Sequence, residues 1–268
     1  MGVLDGKVAL VTGAGAGIGR GIARRYAREG AAVVVVEVDE ANGSRVAGEI
    51  ESLGARSLFV RTDVSHRSEV EAAVLATVKQ FGRLDILVNN ASKLSPNVLL
   101  EQKTDEMLQA TFSVGAWATW WFMQLAMPIM REQGGGRIVN FVSVDAEAGA
   151  WLHADYNRTK GAIEALTRSA AMEWGRFKIL VNAIAPVAAG TVYEQLVRAV
   201  PGFERMASSM NPLGRVGDPE EDIAPVAVFL GSEACRYVTG EVIHVDGGMH
   251  VPRYHSKPQD LSAFTKAQ

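Results

Sequence analysis

The chain has a single cysteine, Cys235, in 268 residues, so no disulfide can close within it and a reducing compartment is expected. It lacks metal-ligand spacing. The five histidines, His66, His153, His244, His250 and His255, fall into no zinc or iron pattern, so no metal is expected. Neither sign of charge is in excess: 27 Lys and Arg face 30 Asp and Glu, a net charge of -3. No block of basic residues follows a phosphate backbone, which argues against nucleic acid as a partner. The N-terminus has no basic segment leading into a long apolar run, and Gly6 stands where a myristoylation motif needs Ser or Thr. A cytoplasmic location is therefore expected. Only residues 110–130 are both uncharged and long enough to span a bilayer. Thr111, Ser113, Gln124, Pro128 and many small residues dilute that stretch, which reads as a core helix packed on both sides, with no membrane association.

What is present is a repeated alternation. Short β-branched runs at Val8–Val11, Val33–Val36, Leu58–Val60, Ile86–Val88, Ile138–Val142, Ile179–Ile184 and Val242–Val245 read as buried strands. Helical patterns lie between them, at Ile18–Glu29, Glu40–Leu53, Ser68–Phe81, Thr104–Arg131, Asp155–Trp174 and Glu220–Leu230. Strands alternating with helices imply right-handed crossovers, and so an α/β fold: a doubly wound, parallel, seven-stranded sheet with helices on both faces. No repeat, linker or composition break divides residues 1–268, which read as one domain. Residues 187–212 break the rhythm with Gly, Pro and Met and read as a substrate lid; residues 249–268 read as a C-terminal tail.

In open parallel sheets, ligands bind where the strands end. The first strand runs into Thr12-Gly13-Ala14-Gly15-Ala16-Gly17-Ile18-Gly19, which opens a helix whose free N–H groups and dipole favour a pyrophosphate. The spacing from Gly13 is G-x-x-x-G-x-G, not G-x-G-x-x-G, so the loop alone is a weak signal. Glu37 ends the second strand about twenty residues later, where an acid can bind adenosine ribose hydroxyls.

These segments, with others downstream, resemble the short-chain dehydrogenase/reductase family, in its single-domain branch of about 250 residues, from Lys7 to Gly248. Thr12–Gly19 resembles its T-G-x-x-x-G-I-G loop, Asp63-Val64 its adenine-pocket pair, and Asn89-Asn90-Ala91-Ser92 its N-N-A-G. Tyr156-Asn157-Arg158-Thr159-Lys160 resembles the catalytic Tyr-x-x-x-Lys, and Ser143 its serine partner. Asn182–Pro186 resembles the N-A-x-x-P segment, and Thr239-Gly240 with Asp246-Gly247-Gly248 the C-terminal T-G and D-G-G. The resemblance implies a Rossmann-like fold and catalysis by Ser143, Tyr156 and Lys160. It implies cofactor contacts at Gly13, Ala16, Gly17, Ile18, Gly19, Glu37, Asp63, Val64, Asn90, Tyr156, Lys160, Pro186, Ala189 and Thr191.

The residue types fit that chemistry. Tyr156 and Lys160, four apart on a helix, share a face. A tyrosine titrates near pH 10 and needs a nearby cation to act as a base, which Lys160 supplies. Ser143 can hold the substrate oxygen while Tyr156 exchanges its proton. A 2′-phosphate needs Arg or Lys near the glycine loop, whereas Ala16 and Glu37 occupy those positions, so NAD is expected over NADP. The expected activity is interconversion of a secondary alcohol and a ketone. The alternatives are a non-catalytic nucleotide-binding sensor or scaffold and a 3-ketoacyl-carrier-protein-type reductase.

Three departures from the family pattern stand out. Phe112 falls where the family has a proton-relaying asparagine, Ser92 and Val187 replace glycines near the nicotinamide, and the tail is long. The stripe Trp117, Trp120 and Trp121 reads as an interface, and the resemblance implies a homotetramer, or a homodimer, built on the long helices. Val144, Trp151, His153, Tyr193, Met206 and Met210 are substrate-pocket candidates by position, in a loop that also carries Asp145 and Glu147.

Overall fold

The computed structural model describes residues 2–251. Seven parallel strands, β1 (Val8–Thr12), β2 (Ala32–Glu37), β3 (Ser57–Arg61), β4 (Ile86–Asn89), β5 (Gly136–Phe141), β6 (Ile179–Pro186) and β7 (Val242–Val245), form one sheet in the order β3-β2-β1-β4-β5-β6-β7. Sequence order reverses direction between β1 and β4, which creates a crevice outside their carboxyl ends.

Strand residues alternate between two cores because successive side chains point to opposite faces. Ala9, Val11, Val33 and Val35 join one core with Ile22 and Tyr26 of helix α1 (Gly17–Arg28), Val46 and Ile50 of α2 (Glu40–Ser52), and Ala227. Leu10, Val34 and Val36 join the other with Val70 of α3 (Arg67–Phe81) and residues of the long helices. A sheet covered on both faces is why its strands read as continuous Val and Ile runs rather than as alternating polar and apolar residues.

The helix expected over Thr104–Arg131 is interrupted. Helix α4 (Asp105–Phe112) passes through a π-helical turn at Ser113–Trp117 into α5 (Ala118–Glu132). No helix among the described residues is long and apolar enough to cross a membrane. A short helix, α6 (Val144–Ala148), follows β5 before α7 (Ala154–Trp174), in a stretch that carried no helical signal. The expected lid folds into α8 (Thr191–Ala199) and α9 (Phe203–Ser209), and α10 (Ala224–Gly231) returns to the first core. Of the expected tail, residues 252–268 lie outside the described residues.

Candidate active site

Every candidate chemical group lies at the carboxyl edge of the sheet. The glycine loop is built for close approach. A Cβ on Gly19 would lie 2.1 Å from the Gly13 carbonyl oxygen, and one on Gly15 would lie 2.7–2.9 Å from atoms of the Glu37 carboxylate arm. Gly13 and Gly17 hold φ of +62° and +50°, which L side chains rarely adopt. Helix α1 begins at Ala16 with no side-chain cap and no acid in its first turn, so its free N–H groups face outward uncompensated. This cradle fits a dinucleotide diphosphate. Gly190 and Thr191, at the start of α8, come within 3.4–3.6 Å of the place a Gly17 Cβ would take, so the start of this segment meets the same loop. Ile18 packs into the first core and fixes the helix beneath it.

Asn90 braces the loop from β4. Its amide donates to the Thr12 carbonyl at 2.9 Å and the Gly13 carbonyl at 3.2 Å, and its backbone N–H donates to Thr12 Oγ1. Glu37 accepts from Gly15 N–H at 2.9 Å through Oε2, and from the Val38 and Asp39 N–H groups through Oε1. Its negative charge is thus fixed on the glycine loop. One cation there had no sequence signal: Arg45, from α2, donates to the Gly15 carbonyl at 2.9 Å while paired with Glu49. Asp63 follows β3 as expected and accepts from the Ser65 hydroxyl and N–H. Those bonds, the hydroxyl's first, hold its carboxyl below the usual range. Val64 beside it is buried. Pro186 ends β6, and Ala189 N–H donates to the Gly217 carbonyl just before α8.

Ser143, from the end of the β5 region, meets Tyr156 and Lys160 of α7. Ser143 ends the β5 strand region and caps α6, its Oγ accepting from Asp145 N–H at 3.2 Å. Tyr156 and Lys160 sit one turn apart on α7, the ammonium 5.4 Å from the phenol ring centroid. Lys160 is only 3% exposed and donates to the Phe141 carbonyl at 2.8 Å. Burial pulls it down to about 8. Burial pushes the Tyr156 phenol up to about 12; a hydrogen bond to Ser143 acts against this, and the charge of Asp145 adds to it. The expectation that Lys160 brings Tyr156 down is therefore not met within the protein's own groups, where desolvation of the phenol dominates.

Two further pairs had no sequence signal, because their partners lie far apart in the chain or in a stretch that read as plain loop. Lys103 and Asp155 form an ion pair at 2.7 Å, each side chain 2% exposed, immediately before Tyr156. Burial alone raises the Asp155 carboxyl, but hydrogen bonds from Lys103 and Ser95 outweigh it and hold the group below its ordinary value. This pair clamps the segment after β4 onto the first turn of α7. Asp145 Oδ2 meets His153 Nδ1 at 2.9 Å, and the His153 ring stands edge-on to Tyr156, with centroids 6.1 Å apart.

The Phe112 register is corrected. Phe112 lies under the Arg158 guanidinium, its ring centroid 4.5 Å away, stands edge-on to Trp117 and packs against the cluster of Val142, Val144 and Ile163. The residue closing on α7 beside Lys160 is Gly115, in the π turn, where a Cβ would lie 2.3 Å from Thr159 Cγ2. A 3.6-residue period cannot place side chains through a π turn. Of the other pocket candidates, Val144 is buried, Trp151 is exposed, and Tyr193 of α8 packs against Phe203 of α9.

The family model described as enoyl-(acyl carrier protein) reductase matches residues 13–250. A 12alpha-hydroxysteroid dehydrogenase from a Clostridium species is 36% identical over 257 residues, covering 93% of this chain and 98% of that protein. A solved 7alpha-hydroxysteroid dehydrogenase, complexed with NADH and 7-oxo glycochenodeoxycholic acid, superposes with a TM-score of 0.86 at 34% identity, over 91% of this chain and 94% of that one. A 3-ketoacyl-(acyl-carrier-protein) reductase from Brucella melitensis, complexed with NADH, superposes with a TM-score of 0.84 at 35% identity, over 92% of this chain and all of that one.

Proposed function

The chain belongs to the short-chain dehydrogenase/reductase family, and from that premise we propose that it is an NAD-linked oxidoreductase interconverting a secondary alcohol and a ketone, with Tyr156 as its acid and base. The observation that carries this reading is the convergence of Ser143, Tyr156 and Lys160 beside the uncapped glycine loop. The loop, Asn90, Glu37, Asp63, Val64, Pro186, Ala189 and Thr191 hold the cofactor, which when bound supplies or accepts the hydride.

Ser143 Oγ donates to the substrate oxygen and Tyr156 exchanges its proton with that oxygen. With its phenol at about 12, Tyr156 carries the proton at neutral pH and is set to give it to a ketone oxygen. In the opposite direction Tyr156 receives the alcohol proton, and the buried Lys160 ammonium is the cation that favours the phenolate partner. Lys160 also holds the nicotinamide ribose.

The fixed carboxylate of Glu37 supports NAD, since a 2′-phosphate brought to the Gly15 N–H meets its charge. Arg45 on the same loop pulls the other way, and the Glu49 carboxylate that pairs with it is shared with Arg20 and Arg24. The exposed Trp117, stacked on Trp121 at 6.0 Å, supports assembly through the long helices as a tetramer or dimer, a state that sedimentation reads directly. The activity is tested by absorbance of reduced nicotinamide over a panel of neutral alcohols and ketones with each cofactor. Turnover with NAD on a secondary alcohol or ketone supports it, and no turnover with either cofactor contradicts it.

A further inference from the structure

The polar groups around Tyr156 are more elaborate than a simple alcohol requires. Helix α6 carries Asp145 and Glu147, and each is hydrogen-bonded to an imidazole from a different element: Asp145 to His153, and Glu147 to His244 of β7, both at 2.9 Å. The backbone is bent to make the first pair. Leu152, directly before His153, holds φ +67°, a strained value for a branched residue.

The pair has a defined polarity. An ionised carboxylate only accepts, so a hydrogen sits on His153 Nδ1, and in the neutral imidazole Nε2 is then the acceptor. No partner for Nε2 occurs among the described residues. Asp145 begins one hydrogen bond from Ser143 Oγ, and the imidazole is edge-on to the Tyr156 ring. The imidazole that carries this nitrogen therefore packs against the Tyr156 ring, and the carboxylate that orients it sits on the helix that Ser143 caps.

We propose that His153, fixed by Asp145, is a hydroxyl-accepting subsite, so that the substrate is a neutral alcohol or ketone with a second hydroxyl on the carbon next to the reacting one. This rests on the oxidoreductase reading above and names the substrate class of that site. Asp145 and Glu147 place negative charge on the same rim, which disfavours an α-hydroxy acid.

The test compares kcat/KM for cyclohexanol and for its vicinal diol, with NAD, in the wild type, His153→Phe and His153→Asn. NAD binding and melting temperature are followed for each protein. The expected result is a wild-type preference for the diol of at least about fivefold, carried mainly in KM, that falls to near unity in both variants. A wild-type ratio near one overturns the subsite while leaving the oxidoreductase reading intact. So does a ratio that persists in a variant with normal melting and NAD binding, or an equal loss on both substrates, which marks His153 as a structural staple. Preference for the matching α-hydroxy acid overturns it as well. Absence of turnover with any alcohol overturns the oxidoreductase reading and the subsite with it.

Discussion

Lys160, proposed above as part of the reacting centre, works against stability. Its ammonium is buried against a single carbonyl, and the group falls from a lysine's ordinary value near 10.5 to about 8. The unfolded chain therefore binds more protons than the folded one between about pH 8 and 10.5, so this group makes stability rise with pH through that window. Below it the full penalty applies, on the order of 3 kcal/mol. Lys160→Met is expected to melt higher than wild type at neutral pH, to lose that advantage near pH 10, and to lose turnover. Melting curves at the two pH values check this, and a variant that melts lower at both contradicts it. Glu37 makes a second prediction at this scale. Wild type should bind NAD more tightly than NADP, and Glu37→Ser combined with Val38→Arg should equalise or invert the ratio, as read by direct titration. A wild type that already prefers NADP would show that Arg45, not Glu37, governs the loop.

At the scale of elements, the junction between α4 and α5 is a tight constraint beside the site. Gly115 sits where a methyl would overlap Thr159 Cγ2, on the turn of α7 that also carries Lys160. Gly115→Ala is expected to cost about 1–3 kcal/mol as overpacking, and Thr159→Ser, which removes that methyl, should recover most of the loss. Chemical denaturation of the three variants decides it; equal losses in the single and double variants would show that the two residues do not touch. Phe112→Asn, by contrast, would remove a ring from beneath Arg158 and restore no relay. The sequence pattern could locate the long apolar stretch because burial repeats along it, but a π turn leaves no mark on a 3.6-residue period. Helix α6 escaped for a related reason: at five residues it is too short to show a period, and it is held by the Ser143 cap and by the histidines that meet its carboxylates.

At the scale of the whole molecule, the sheet was legible because each strand is a run of β-branched residues buried on both faces, from Val8–Thr12 to Val242–Val245. The glycine loop, Ser143, Tyr156 and Lys160 could be proposed from sequence because the chemistry they would perform fixes residue types at fixed local spacings. Lys103 with Asp155, and Arg45 with Gly15, could not, since pairing across the fold depends on how α2, α7 and the segment after β4 pack. The first pair anchors the turn of α7 that carries Tyr156 and the second holds the loop that Glu37 contacts, so local motifs nominate the reacting groups proposed here while packing positions them. The most direct test is the initial rate of nicotinamide reduction by wild type and Tyr156→Phe, on the best alcohol of the panel and at saturating NAD. Wild type should turn over, whereas Tyr156→Phe should bind NAD within a few-fold of wild type and lose at least about a hundredfold in rate. A folded Tyr156→Phe that keeps wild-type turnover would contradict the assignment of Tyr156 as the proton-exchanging residue.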